Sequence, residues 1–454
     1  MEQKNNEKKV VTRFAPSPTG LLHLGNYRTA IFSYLFAKQH DGKFVLRIED
    51  TDRARSKKEY EDNILESLKW LGLSHDEFYR QSERVERHRF FLEKLISEGK
   101  AYISKEESKD GSGEIKEIVR FKNPNKVVAF TDLIRGEIKT NTTDLGDFVI
   151  AKNIHEPLFH LAVVVDDMEM GVTHIVRGED HIPNTPRHIL IYEALGGNIP
   201  QYAHLPLVLS EDRTKLSKRK GAKPITFYRE EGYLPEGILN FLSLVGWNDG
   251  TEDEIFTMQD LVERFDLSRV HKAGAIFNVT KLEWVNKEHM KRLAPEVLFA
   301  EIERFVPEEI RILSGYSKDA LKRIIPIITD KISHFGEMRT MAQEGELAYF
   351  FEAQQYLVEG LLWKKNPEKS AAIQHLDSVA NILGNLNEGE FEMEKIKAAL
   401  WDYAEKEGRG DVLWPMRFAL SGKDRSPDPF VLASVLGKKE TLKRLHDAIA
   451  LLKK

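Results

Sequence analysis

Reactive and ligand-binding side chains in this chain fall in the loops that end apolar runs. Arg13 lies near the end of VVTRFA, and His23, Gly25 and Asn26 follow in PSPTGLLHLGN. Glu49, Asp50, Asp52 and Arg53 close KFVLRIEDTDR, and residues 213–223, RTKLSKRKGAK, place six cations in eleven residues. An arginine grips a carboxylate through two parallel N–H bonds, so Arg13 suits an acidic ligand. A histidine and a glycine at a helix entrance stand where unpaired N–H groups and partial positive charge favour phosphate. Glycine there also lets a flat ring approach the backbone. The basic run reads as a solvated loop or a nucleic-acid patch.

These residues need rigid elements to hold them. Val10 to Ala15 patterns as a strand that Pro16, Pro18 and Gly20 stop. A helix follows, with Ala30, Ile31, Tyr34, Leu35 and the aliphatic stem of Lys38 on one side. Asp41 and Gly42 turn the chain into a second strand, Lys43 to Glu49, and ligands in open α/β sheets sit at the carboxyl ends of strands. Amphipathic helices near residues 59–71 and 83–98, stopped by Gly72 and Gly99, read as scaffold whose Arg84, Arg87 and Arg89 face solvent. Residues 102–156 change to a lysine- and glutamate-rich piece with short alternating runs, a small inserted subdomain. HLAVVV (160–165) and GVTHIVR (171–177) read as two buried strands, ending in Asp166 and Asp167 and in Gly178, Glu179, Asp180 and His181. NTPRHILIYEAL (184–195) is a capped helix with Pro186 in its first turn and Gly196 after its end, and beyond Phe227 the pattern turns helical.

A chain of 454 residues exceeds one core and suggests about three domains. The net charge of −5 with 31% charged residues offers a nucleic acid no overall attraction, so such a partner must be met by local basic patches. With no cysteine, disulfides, zinc ribbons and thiol chemistry are excluded. There is no run of eighteen apolar residues, and the charged MEQKNNEKK start reads as no secretory signal. The expectation is a cytoplasmic protein without a membrane segment.

The run RFAPSPTGLLHLGNYRTAIF followed by LRIEDTD resembles the signature of glutamyl-tRNA synthetases of bacterial type, which are class I aminoacyl-tRNA synthetases. His23, Leu24, Gly25 and Asn26 match their "HIGH" element, and KLSKR, residues 215–219, matches their second signature, "KMSKS". The resemblance spans nearly the whole chain and is strongest before Glu230. It implies an α/β fold class: a Rossmann-type catalytic domain with a small α+β insertion, followed by all-α stem-contact and anticodon-binding domains. The corresponding boundaries are 8–100 and 159–228 for the two catalytic halves, the second carrying the KLSKR loop. They are 101–158 for the connective, acceptor-binding insertion, 229–323 for the stem-contact domain and 324–454 for the anticodon-binding domain.

The resemblance also implies roles. His23, Lys215 and Lys218 would be catalytic, with ATP bound by His23, Gly25, Asn26, Asp180, Lys215, Leu216, Ser217, Lys218 and Arg219. Glutamate would be held by Arg13, Ala15, Ser17, Glu49, Phe159, Val163 and Arg177, with both arginines on its side-chain carboxylate and Glu49 on its amino group. Arg417, Ser426 and Pro427 in WPMRFALSGKDRSPDPF match positions that contact anticodon bases, which are read by stacking and edge hydrogen bonds. Relatives usually carry tyrosine where this chain has Phe159. A hydroxyl to the substrate carboxylate is therefore missing, a bond worth about 1.5–3 kcal/mol, and water or His160 would have to replace it. Many relatives hold zinc in the insertion; without cysteine, no zinc and no other protein-bound metal is expected here, and Mg²⁺ would come on the phosphates of ATP.

The expected activity is a glutamate–tRNA ligase that forms glutamyl-adenylate from ATP and L-glutamate and passes the glutamyl group to the 3′ end of tRNA(Glu), as a monomer. Glutaminyl-tRNA synthetases share both signatures, but their C-terminal half is built of β-barrels, whereas residues 236–454 pattern as helices. An enzyme that also charges tRNA(Gln) with glutamate, and a catalytically silent tRNA-binding protein, stand as alternatives.

Overall fold

The computed structural model describes residues 9–107, 115–216 and 223–454, and the chain divides into two compact units, Met1–His289 and Met290–Lys454. Ser217, Lys218 and Arg219 of the second signature lie outside the described residues.

The first unit starts with β1 (Val11–Phe14), α1 (Leu24–Gln39) and β2 (Lys43–Ile48). β1 and β2 are parallel, with Arg13 opposite Val45, and α1 is their crossover. The expectation of one apolar side on α1 understates its burial: Phe32, Ser33 and Ala37 are buried with Ala30, Ile31 and Leu35. A helix buried nearly all round shows little amphipathic pattern. Next come α2 (Lys58–Trp70), β3 (Glu77–Arg80), parallel to β2, and α3 (Val85–Ser97).

Residues 101–158 divide between two sheets. β4 (Ala101–Glu107), β5 (Ile115–Phe121), then β8 (Phe148–Asn153) and β9 (Glu156–Pro157) form an antiparallel sheet in that order, with β6 (Val127–Asp132) and β7 (Gly136–Asn141) as a hairpin between β5 and β8 in sequence. The hairpin does not join that sheet. It pairs, through Asp132 opposite Tyr202, with a strand of the catalytic half, and this places Asp132 beside the site described below.

The run HLAVVV is not a strand. It lies in α4 (Phe159–Glu169), where Leu161 to Asp167 are all buried. β-branched residues favour strands, but a continuous apolar run does not distinguish a strand from a helix packed on several sides, and here α4 lies against α3 and the next helix. The helical period puts Phe159, Val163 and Asp167 on one face at i, i+4 and i+8. β10 (His174–Gly178), α5 (Thr185–Leu195) and β11 (Gln201–Leu205) complete the half, in a sheet of order β10-β11-β6-β7. β10 lies beside β1, where the Thr173 N–H donates to Val11 O at 2.9 Å.

β12 (Val208–Leu209), α6 (Ile225–Glu230), α7 (Pro235–Leu244), α8 (Met258–Arg264), β13 (Ala275–Ile276) and α9 (Val279–Met290) follow. α7 and α8 pack on α1, which is why that helix has no solvent face, and Trp247 is buried in the same core. The boundary between the compact units cuts the expected segment 229–323 at residue 289.

The second unit is helical: α10 (Pro295–Phe305), α11 (Glu308–Arg311), α12 (Lys318–Lys331), α13 (Glu337–Gln343), α14 (Lys369–Gly384), α15 (Met393–Glu407), α16 (Arg409–Ser421) and α17 (Pro429–Leu452). α17 is broken at Gly437, whose φ of 79° favours glycine. Among the described residues no helix is long and apolar enough to cross a membrane.

Candidate active site

The carboxyl ends of β1, β2 and β10 open on a cleft of about 450 Å³. Its walls hold Arg13, Ala15, Ser17, Glu49, Phe159, Val163 and Arg177 together with His23, Gly25, Asn26, Asp180, Lys215 and Leu216. All the described residues singled out for ATP and glutamate thus share one cavity.

The loop after β1 is tied to the end of β2, since Glu49 N–H donates to Pro16 O at 2.9 Å and Lys57 N–H to Pro18 O at 3.0 Å. His23 is the N-cap of α1, and its backbone N–H donates to Asn26 Oδ1 at 3.1 Å. Gly25 has a steric reason: a Cβ there would stand 3.0 Å from Cε1 and 3.1 Å from Nδ1 of the His23 ring. The two ends of the second signature loop are anchored at the cleft by backbone bridges, Leu209 with Lys215 and His23 with Pro224. Lys215 Nζ donates to Asp180 Oδ2 at 2.9 Å; burial pushes that carboxyl up, but the bond and the charge of Lys215 together with His181 and a backbone donor lower its pKa overall.

Beneath Arg13 and Glu49 lies a buried ionic network. Asp167, fully buried, accepts from Arg13 Nε at 3.3 Å and from Arg47 Nη1 at 2.6 Å, and Arg47 Nη2 donates to Glu49 at 3.0 Å. The arginine that faces the cleft is therefore held by its Nε. No described residue takes its terminal nitrogens in the structure. Burial raises the pKa of Glu49, with Arg47 opposing. Asp166 points the other way, to Gln81, Arg84 and His88 at 2.7–2.9 Å. Arg84 is thus an ion-pair partner of a buried carboxylate, contrary to the expectation of a solvated face.

Arg177 differs from Arg13. It is buried, and its guanidinium donates to His204 Nε2 at 3.2 Å, His188 Nδ1 at 3.3 Å and Thr185 Oγ1 at 2.7 Å, all uncharged acceptors. Among the described residues no carboxylate forms an ion pair with it. Burial pulls its pKa down from 12.5 to about 10. The surrounding imidazoles stay neutral: burial, then the Arg177 charge, takes His181 to about 4 and His188 well below its usual value, and burial, then Arg187, takes His160 to about 4. Phe159 lies against His160, His181 and His188 with centroids 5.4–6.2 Å apart. His160 does not line the cleft; its Nδ1 meets His188 Nε2 at 3.1 Å, so it is not the substitute for a tyrosine hydroxyl.

A second cavity of about 780 Å³ shares Ser17, Thr19, Glu49 and Phe159 with the first and continues past Asp52, Arg53, Arg55, Lys152 and His155. In the C-terminal unit, Arg417, Ser426 and Pro427 gather at the loop between α16 and α17. Arg417 Nη2 donates to Asp424 O at 2.9 Å, its guanidinium lies 4.8 Å from the Trp414 ring, and Ser426 bonds Ser421 at 3.0 Å. Among the described residues no group of three or more His, Asp or Glu is placed to hold a metal ion.

Sequence reading missed Arg47, the Asp166–Asp167 pair as buried ion-pair partners, and the histidines around Arg177. Arg47 lies on β2, Asp166 and Asp167 on α4, His188 on α5 and His204 on β11, and the local signal was an arginine or carboxylate inside an otherwise apolar run, as in FVLRI and VVVDD.

Residues 9–110 and 103–284 match the family described as tRNA synthetases class I (E and Q), catalytic domain, and residues 289–449 match the anticodon binding domain family. The chain is 42% identical over 474 residues to a glutamate–tRNA ligase of Aquifex aeolicus (strain VF5), covering 96% of this chain and 98% of that protein. It is 38% identical over 493 residues to one of Carboxydothermus hydrogenoformans, covering 96% and 99%. Among solved structures, a glutamate tRNA ligase from Elizabethkingia meningosepticum in complex with its amino acid superposes with a TM-score of 0.86 at 31% identity, covering 98% of this chain and 100% of that one.

Proposed function

The chain belongs to the glutamate–tRNA ligases among the class I aminoacyl-tRNA synthetases, and from that membership we propose which of its residues perform each half-reaction. The observation that supports glutamate as the amino acid is Arg177, a buried cation whose protein partners are all neutral. Together with the open end of Arg13 it offers two guanidinium groups to one side-chain carboxylate, a geometry suited to charge-assisted bonds. Glu49 receives the α-ammonium group, which supplies the extra cation that this buried carboxylate needs. Val163 and Phe159 cover the methylene chain.

An oxygen of the glutamate α-carboxylate attacks the α-phosphorus of ATP, a P–O bond to the carboxylate forms, and the bond to the β-phosphate breaks to release pyrophosphate. Neither partner needs a side-chain base, so the protein contributes alignment and stabilisation of negative charge. His23 and the N-terminus of α1 serve the α-phosphate, Gly25 leaves room for the nucleotide, and Lys215 and Lys218 serve the pyrophosphate. Asp180 holds Lys215 at hydrogen-bond distance in the structure. Mg²⁺ arrives on phosphate oxygens of ATP. In the second step a ribose hydroxyl of the tRNA 3′-terminal adenosine attacks the glutamyl carbonyl and AMP leaves. We assign the second cavity, which opens into the first at Ser17 and Glu49, to that adenosine. Segment 101–158 receives the acceptor end, 229–323 contacts the stem, and Arg417, Ser426 and Pro427 read anticodon bases. We place the protein in the cytoplasm as a monomer.

The test is adenylate formation followed with tRNA(Glu), ATP and labelled glutamate. His23→Ala should slow it about 100-fold, the scale for one lost transition-state donor, with the KM for glutamate unchanged. A rate within threefold of the parent would remove His23 from catalysis.

A further inference from the structure

Arg177 is held by an imidazole whose protonation is fixed from behind. His204 is fully buried; its Nδ1 lies 2.6 Å from Asp132 Oδ2 and its Nε2 lies 3.2 Å from Arg177 Nε. A carboxylate only accepts and a guanidinium only donates, so the proton of neutral His204 is on Nδ1 and its Nε2 accepts from Arg177. Asp132 is itself held: Oδ1 accepts from Ile134 N at 3.0 Å and Arg135 N at 2.8 Å, and Oδ2 also accepts from His204 N at 3.0 Å. Burial raises the Asp132 carboxyl, but the bond from His204 and the backbone donors lower it overall, so it stays anionic. Burial keeps His204 on the neutral side, with Asp132 opposing. Asp132 comes from the β6–β7 hairpin, 72 residues before His204, and it pairs with β11 at only one position, Tyr202.

We propose that Asp132 and His204 are positioning residues for substrate selection. Asp132 locks His204 in the tautomer that accepts from Arg177, which orients the guanidinium while leaving its charge for the carboxylate of the amino acid. A carboxylate in the place of His204 would hold Arg177 as firmly and neutralise it. A histidine in the other tautomer would turn an N–H towards the Arg177 N–H and push the guanidinium off its position. The Asp132 charge lies one imidazole away from Arg177, so it orders the donor without pairing with it.

This inference rests on the reading of Arg177 as a ligand of glutamate, and the experiment separates the two. Pyrophosphate exchange with the full chain and tRNA(Glu) is measured against glutamate concentration for the parent, D132N, H204Q and the double variant. In D132N the two backbone donors keep the amide oxygen at the Oδ1 place, so the amide nitrogen faces His204 Nδ1 and forces the other tautomer. The KM for glutamate should rise about ten- to hundredfold, the range for one hydrogen bond to a buried charge, with the KM for ATP within twofold. In the H204Q background no tautomer exists to invert and only the bond from the residue 204 backbone N–H to Oδ2 is lost, so D132N should raise the KM for glutamate by a factor about fivefold or more smaller than in the parent. An equal effect of D132N in both backgrounds would mark Asp132 as merely structural and overturn the proposal, as would an unchanged KM in D132N. If D132N does not fold, H204N replaces it. It keeps a donor for Asp132 but no acceptor for Arg177, and a KM for glutamate no higher than that of H204Q would overturn the proposal. A parent that exchanges pyrophosphate without dependence on glutamate would instead overturn the reading of the cleft.

Discussion

Replacing Arg177 by methionine should leave the fold nearly as stable as before and ruin glutamate binding. The fall of the Arg177 pKa from 12.5 to about 10 corresponds to about 3 kcal/mol against the buried charge. The sign follows from linkage: the folded-state pKa lies below the unfolded one, so at neutral pH the group is charged in both states and the folded state bears the whole cost. Methionine returns that energy. Against it stand the lost bonds to His204, His188 and Thr185, about 1.5 kcal/mol each at the low end for bonds to a charged group. The two sides cancel to within about 1–2 kcal/mol, so the Tm should stay within about 5 °C of the parent. Binding has no such cancellation. Two charge-assisted bonds to the substrate carboxylate, at about 1.5–3 kcal/mol each, raise the KM for glutamate about 100-fold or more when lost. The assay is pyrophosphate exchange over a range of glutamate concentrations at saturating ATP and tRNA, beside a thermal melt. A Tm lower by more than 10 °C would make Arg177 a structural residue, and a KM within threefold of the parent at unchanged Tm would remove it from the substrate.

Three more outcomes follow from the same geometry. Because burial raises the pKa of Glu49 while His160 and His181 sit near 4, kcat/KM for glutamate should fall on acidification above the ordinary carboxylate range of about 4.3. Glu49→Gln should lower the value and flatten that limb, and a limb centred near the usual histidine pKa that survives Glu49→Gln would contradict the assignment. Phe159→Tyr should lower the KM for glutamate by up to about tenfold, the low end for a hydrogen bond to a charge, since the ring is 37% exposed; an increase would mean that the hydroxyl is not directed at the substrate. Asp167→Ala strands Arg13 and leaves Arg47 with Glu49 as its close carboxylate, both arginines being buried, and should cost about 3–5 kcal/mol in urea unfolding; a loss under about 1 kcal/mol would show that the network does not hold the site together.

The parts of the site that were legible in the sequence are those that local chemistry dictates. Pro16, Pro18 and Gly20 end a strand whatever surrounds them, and HLGN reads as a helix entrance, which is where the structure has it, with His23 as the N-cap of α1. The parts that were not legible depend on contacts across the chain. HLAVVV reads as a strand because nothing in a run of six residues records that α3 and α5 pack against it, and with that misreading Asp167 lost its place on the same face as Phe159 and Val163. Arg13 meets Asp167 across 154 residues and His204 meets Asp132 across 72, separations that leave no periodic trace. The β6–β7 hairpin was read with the insertion because its alternating pattern is that of any exposed hairpin, whereas its pairing with β11 rests on Tyr202 and Asp132 alone.

The most direct measurement is acylation of purified tRNA(Glu) and tRNA(Gln) transcripts with labelled glutamate and with labelled glutamine in the presence of ATP. Glutamate should be transferred to tRNA(Glu) and glutamine to neither, because an amide cannot satisfy two guanidinium groups, one of which, Arg177, forms no ion pair with a carboxylate among the described residues. Transfer of glutamine at a rate comparable to glutamate, or tRNA binding without transfer of either amino acid, would contradict this reading.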